Sequence, residues 1–226
     1  MKFSKVNSSM TSKLLIFDMD GTLIQSNIDY MGIRNRLREI LQDLVNDEEY
    51  SRIENTIYTI LELVGIIKEK DSTGKLNEKA WNLVEEYELK GYEKAFVEED
   101  MINSLEKLKK RGHILVVYTN NSRKITNYAL HTYNFNHLFD WILTRDDVVN
   151  CKPNPEGIHK IMKKYGRDKK STVFIGDSWV DAETALNADI DFIYFGVEGA
   201  PGVRRKQIEA KATVNSMKEL LLMYDK

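Results

Sequence analysis

The sequence predicts an α/β fold: a Rossmann-like parallel sheet with helices on both faces, plus an inserted α-helical cap domain. Three observations carry this. Short, continuously apolar runs recur along the chain. Amphipathic helical patterns separate them. One long internal stretch holds helical stripes and no convincing strand. Apolar runs with helices between them are the pattern of a parallel sheet, whose strands are buried on both sides.

The strand runs are residues 13–18, 113–119, 141–144, 172–176 and 192–196. The helices between them have readable ends. Residues 98–111 are amphipathic, and Gly112 is placed to stop them. Asn154 can cap a helix that has Pro155 in its first position, where a missing N–H does no harm, and Gly166 can end it. Asp177 or Ser178 can open a helix running through Ala188.

The alternation breaks after Ile24. Leu37, Ile40, Leu41, Leu44 and Val45 form one helical stripe, and Ile53, Ile57, Ile60, Leu61 and Val64 a second. Trp81, Val84 and Tyr87 begin a third, and residues 70–75, with Gly74, are the best loop. Core packing accounts for any one of these apolar residues. Together they predict a helical subdomain at residues 25–95 inserted into a core of residues 1–24 and 96–226.

Composition bounds the function. Of 226 residues 42% are hydrophobic, enough for a substantial core. The balance of 33 Lys and Arg against 35 Asp and Glu gives a formal net charge of -2 and no electrostatic case for nucleic acid. No apolar run is long enough to span a membrane. Residues 1–12 read as a frayed polar leader with no apolar segment of the secretory kind. Cys151 is the single cysteine, so no intramolecular disulfide can form, which fits a cytoplasmic location.

Four strand-end stretches carry chemistry. Asp18-Met19-Asp20-Gly21-Thr22-Leu23 sets two carboxylates two residues apart after a buried strand, where open parallel sheets place their ligand crevice. Such close like charges repel unless a cation offsets them. An acidic turn is the plain alternative; an EF-hand loop fails on pattern, lacking an acid or amide at Ile16 and a Glu at Asn27. In Gly176-Asp177-Ser178-Trp179-Val180-Asp181, the two acids lie one helical turn apart, and oxygen-only ligands suit a hard cation such as magnesium. Ordinary helix capping reads equally well there. Tyr118-Thr119-Asn120-Asn121-Ser122 offers a hydroxyl and backbone N–H groups at a helix start, suited to an anion. Cys151-Lys152-Pro153-Asn154-Pro155 places a lysine on a stiffened loop, either to meet a phosphoryl charge or as a surface residue.

The four stretches occur in one order on one inferred sheet. In that order the sequence resembles the haloacid dehalogenase superfamily, and the helical insert resembles the cap of its phosphoglycolate phosphatase and β-phosphoglucomutase subgroup. The resemblance implies a magnesium-dependent phosphatase acting on a small-molecule phosphate ester. Asp18 would be the nucleophile that becomes an aspartyl phosphate. Asp20 would protonate the leaving oxygen and then deprotonate the attacking water. Mg2+ would be held by Asp18, the backbone carbonyl of Asp20, and Asp177. Thr119 and the backbone N–H of Asn120 would bind a phosphoryl oxygen, with Lys152 balancing charge. Asp181 would orient Lys152 or a water on the metal. An acid at position 20 separates the chain from the family's dehalogenases, whose leaving halide needs no proton, and points to phosphate esters. A phosphomutase on the same scaffold is the alternative, and a non-catalytic binding protein a further one. A monomer or weak homo-oligomer is expected, with no nucleic-acid or membrane partner.

Other features carry no role. His113, His131, His137 and His159 show no metal-ligand spacing. Cys151 has no visible His partner. Residues 196–199 precede no clear helix, so they are not a dinucleotide fingerprint. Arg34, Arg36 and Arg38 read as a solvated helix face, with one of them a candidate for a substrate anion.

Overall fold

Strand runs that are apolar on both faces give a sheet that must be covered on both sides, and this is what forms. The computed structural model describes residues 12–56, 58–196 and 208–225. Their six strands are β1 (Leu14–Phe17), β2 (Ile114–Tyr118), β3 (Trp141–Leu143), β4 (Thr172–Gly176), β5 (Asp191–Phe195) and β6 (Ala212–Val214). They pair in the order β3-β2-β1-β4-β5-β6, every pair parallel. The order reverses between β1 and β4, so the crevice of the sheet opens where these two central strands end.

The period of two sorts the strands onto two faces. Leu14, Ile16, Val116, Tyr118, Phe174 and Phe192 form one core layer. Above it lie Ile158 and Ile161 of α7 (Glu156–Tyr165) and Ala182, Ala185 and Ala188 of α8 (Trp179–Ala188). The alternate residues Leu15, Phe17, Leu115 and Val117 are equally buried. The other α-helices among the described residues of this unit are α5 (Met101–Lys110), α6 (Arg123–Thr132) and α9 (Met217–Met223). β6 and α9 were not expected from sequence. The strand is three residues long, with Ala212 half-buried and Thr213 exposed, so it lacks a continuous apolar signal.

The insert folds as a separate compact unit, divided from the first at Gln25/Ser26 and Ala95/Phe96. Gln25 itself belongs with the sheet unit, because it exchanges backbone hydrogen bonds with Phe96 (2.9 and 3.1 Å) where the chain leaves and returns. The second unit holds α1 (Tyr30–Gln42), α2 (Asp47–Asn55), α3 (Ile60–Lys70) and α4 (Lys75–Tyr92). Ile33, Leu37, Leu41, Ile53, Leu63, Val64, Ile67, Ala80 and Val84 form its own buried interior.

Several boundaries differ from expectation for local reasons. The second apolar stripe is two helices. Thr59 caps α3 with a capping box, its hydroxyl accepting from the Glu62 N–H while the Glu62 carboxylate accepts from the Thr59 N–H. Leu44 and Val45 lie beyond the end of α1. Helix α5 begins at Met101 rather than residue 98. Helix α7 begins at Glu156, with Asn154 Oδ1 accepting from its N–H at 3.0 Å. The polar leader up to residue 11, Ile57 and residues 197–199 lie outside the described residues. No helix among the described residues is long and apolar enough to cross a membrane.

Candidate active site

Asp18 is the first residue beyond β1. Its N–H still donates to Ile175 O of β4 at 2.9 Å, so its backbone is part of the sheet. The chain then turns at once. Gly21 takes a φ of 77°, a left-handed conformation that a side chain would strain. A Cβ on Gly21 would lie 2.3 Å from Asp177 Oδ2, so only glycine lets the two acidic loops approach. Thr22, fully buried, donates its hydroxyl to Asp177 Oδ1 at 3.1 Å.

The second acidic pair is shaped by a helix cap. Ser178 is the N-cap of α8, and Asp181 completes a capping box with it. Asp181 Oδ2 accepts from the Ser178 hydroxyl at 2.5 Å and from its N–H at 3.2 Å. The helix-capping reading of this stretch holds, and the other oxygen of Asp181 accepts from Lys152 Nζ at 2.6 Å. Gly176 permits this: a Cβ there would meet Asp181 Cβ at 2.5 Å.

Lys152 is no surface lysine. It is 4% exposed, and its Nζ also donates to Asp18 Oδ1 at 2.6 Å. The ammonium lies 5.6 and 5.4 Å from the ring centroids of Tyr118 and Phe174, within reach of cation–π attraction. Its backbone is clamped by Asn120, whose side-chain oxygen accepts from the Lys152 N–H at 3.0 Å and whose amide donates to Lys152 O at 3.1 Å. The Lys152–Pro153 peptide is cis.

Thr119 follows β2 and is buried. Its Oγ1 accepts from the Asn121 N–H at 3.1 Å, and Ser122 caps α6. Asn121 donates through Nδ2 to Asp20 Oδ2 at 2.5 Å. Asp18, Asp20, Thr119, Asn120, Lys152, Asp177 and Asp181 thus all lie in loops or a helix start that follow strands of one sheet. These bonds link Asp18, Lys152 and Asp181, join Asn120 to Lys152, and tie Asp20 to the loop after β2.

Charge is concentrated here at low solvent exposure. Burial raises the Asp18 carboxyl well above its ordinary range, the Asp181 carboxylate adds to this, and Lys152 partly offsets it. Burial and then Asp181 push Asp177 up to about 7, against the hydrogen bond from Thr22. For Lys152, burial disfavours the charge, but Asp18 and Asp181 outweigh it and hold the ammonium well above its usual range. Three buried or half-buried acids facing one lysine leave negative charge uncompensated, which is what a cation would offset. Asp18, Asp177 and Asp181 each present a carboxylate oxygen within 4.8 Å of one another. The all-oxygen donor set fits magnesium. Asp181 is the least suited as a direct ligand, both its oxygens being engaged by Lys152 and Ser178.

Sequence reasoning named Ser178 only as one of two possible caps of α8, and passed over Thr22, Asn121 and Arg145. Arg145 is buried, its N–H donating to Asn121 O and its guanidinium to Asn120 O, both at 3.2 Å. Thr22, Asn121 and Ser178 sit inside the stretches already singled out; Arg145 follows a three-residue strand and carries no local signal.

The haloacid dehalogenase-like hydrolase family model matches residues 15–195. Among curated relatives, a pyrophosphatase PpaX of Bacillus velezensis is 27% identical over 178 residues, 77% of this chain and 78% of the relative. A phosphoglycolate phosphatase of Aliivibrio fischeri is 24% identical over 191 residues, 78% of this chain and 80% of the relative. The structure of a phosphatase of the same family from Thermococcus onnurineus superposes with a TM-score of 0.61 at 23% identity, covering 93% of this chain and 97% of that one. A family match across most of the chain, on a sheet whose strand ends gather the four motifs, makes this protein a member of the haloacid dehalogenase-like hydrolases.

Proposed function

We propose that the protein is a magnesium-dependent phosphatase that cleaves a small phosphate monoester through a phosphoryl group carried on Asp18. The observation that carries this is the hydrogen-bonded Asp18–Lys152–Asp181 cluster beside Asp177, with the half-buried Asp20 two residues from Asp18. The names of the relatives support the phosphoryl-transfer class. Magnesium would be held by Asp18, the backbone carbonyl of Asp20 and Asp177, and would supply charge neutralisation and polarisation of the phosphoryl group.

The protein's own groups do the rest. One Asp18 oxygen forms a bond to phosphorus as the bond to the leaving oxygen breaks, and that oxygen takes a proton from Asp20. Water then attacks phosphorus, gives its proton to Asp20, and the Asp18–phosphorus bond breaks to restore the carboxylate. Lys152 holds Asp18 in one orientation and balances the charge on the phosphoryl group. Thr119 and the Asn120 N–H bind a phosphoryl oxygen. Asp181 keeps Lys152 charged and in place.

The helical unit, residues 26–95, acts in this reading as a cap that selects the leaving group. It carries no strand-end acid pair. Release of phosphate from a panel of monoesters and from pyrophosphate, with Mg2+ and with excess chelator, tests the reading. Phosphate release from a small ester that chelator abolishes is the expected result. Full activity in chelator would refute the metal assignment, and isomer formation without phosphate release would make the protein a mutase. Replacing residues 26–95 by a short Gly/Ser linker should cut kcat/KM on the best small substrate far more than on an aryl phosphate. Equal loss on both, in a folded variant, would contradict the cap's selective role.

A further inference from the structure

We infer that Asn121 is a positioning residue for Asp20: its side-chain amide aims the carboxyl group that hands a proton to the leaving oxygen. This rests on the reading of Asp20 as proton donor. It adds a residue whose effect on the chemistry is exerted through Asp20 rather than through contact with substrate.

The geometry has three parts. Asn121 Nδ2 donates to Asp20 Oδ2 at 2.5 Å, joining residues 101 positions apart in the chain. The Asn121 backbone is fixed on both sides: its N–H donates to Thr119 Oγ1 at 3.1 Å, and its carbonyl accepts from the Arg145 N–H at 3.2 Å. Asn121 is 7% exposed, so its side chain has little freedom to swing away.

Asp20, by contrast, is half-buried and sits on a tight turn. A carboxyl group there has two torsions to lose before one oxygen points at a leaving group. A donor anchored on the loop after β2 holds Oδ2, which sets the direction of Oδ1. Asn120 performs the matching task one residue earlier, clamping the Lys152 backbone. Adjacent asparagines thereby tie the loops after β1 and before α7 to the loop after β2.

A general acid matters in proportion to how poor the leaving group is, and this separates positioning from mere scaffolding. The experiment measures kcat/KM, with saturating Mg2+, for wild type, Asn121→Ala, Asp20→Asn and the double variant. The substrates run from dinitrophenyl phosphate through phenyl phosphate to an alkyl phosphate. Because kcat/KM reports only steps up to loss of the leaving group, the second half-reaction does not enter. Asn121→Ala is expected to lose about 100-fold on the alkyl ester, the cost of a misplaced catalytic group. It should lose at least tenfold less than that on the dinitrophenyl ester. The double variant should be no worse than Asp20→Asn alone, because the two residues act as one unit.

A loss of equal size on every substrate would overturn the inference, as would additive losses in the double variant. Retained turnover of the dinitrophenyl ester reports that Asn121→Ala is folded; should it not fold, Asn121→Ser, which keeps a small polar side chain too short to reach Asp20, must give the same leaving-group pattern. If Asp20→Asn itself shows no leaving-group dependence, the proton-donor reading fails, and that result is distinguishable from failure of Asn121 alone.

Discussion

Lys152 Nζ stands 2.6 Å from Asp18 Oδ1, an ion pair closed across 134 residues of chain and almost shut off from solvent. A buried pair of this kind is weak evidence of net stabilisation, but breaking it is costly because the partner is left charged and dry. Here two partners depend on the same ammonium, since Asp181 Oδ1 is also 2.6 Å away.

Lys152→Met should therefore destabilise the metal-free protein by about 3–5 kcal/mol. The loss should be smaller at pH 5 than at pH 8, because the Asp18 carboxyl, already raised by burial, must ionise at pH 8 without its ammonium partner. Urea unfolding at both pH values reads this out, and turnover should fall with it. A variant as stable as wild type at pH 8 would mean that the ammonium is not balancing these acids.

Asp177 gives the metal-free protein a defined pH dependence. Its proton is held up to about pH 7 in the folded state, against about 3.9 for an ordinary aspartate. A group whose folded value is raised stabilises fully below the unfolded value, and that stability is lost as pH rises through the folded value. Stability without metal should accordingly decline between about pH 4 and pH 7, by up to about 1.4 kcal/mol per pH unit for this one group. The raised Asp18 acts in the same sense. Mg2+, which competes with the protons, should raise Tm more at pH 8 than at pH 5. Asp177→Asn should flatten the decline and remove most of the metal effect. Equal stabilisation by Mg2+ at both pH values would contradict the coupling.

Gly21→Ala tests how closely the two acidic loops must meet. The alanine would have to adopt a φ of 77° with its Cβ pressed onto the Asp177 carboxylate. The left-handed backbone alone costs about 1–2 kcal/mol. Displacing Asp177 should additionally raise the Mg2+ concentration needed for half-maximal activity by tenfold or more. A variant with unchanged metal dependence would show that this approach has slack.

The sheet was legible in the sequence because parallel strands leave continuous apolar runs, and Leu14–Phe17 or Thr172–Gly176 can hardly be read otherwise. The short, partly covered β6 has no such signature. The helix break before Thr59 was missed because apolar periodicity carries through it, although Thr59 and Glu62 spell a capping box. In the site, acid pairs at strand ends advertise themselves, since crowded charge is costly. Lys152 reads as an ordinary lysine until its depth and partners are known. Asn121 is legible only as part of its stretch and Arg145 not at all, because their importance lies in where their hydrogen bonds end, not in their residue type.

The most direct test of the account is to find where the phosphoryl group goes. Enzyme turning over a radiolabelled phosphate ester with Mg2+ is quenched in acid, digested, and the labelled peptide sequenced. Label on the peptide containing Asp18, labile to hydroxylamine as an acyl phosphate is, and absent from an Asp18→Asn variant that is folded but inactive, is the predicted result. Sustained turnover by Asp18→Asn, or label on any other side chain of an active enzyme, would contradict the assignment of Asp18 as the nucleophile.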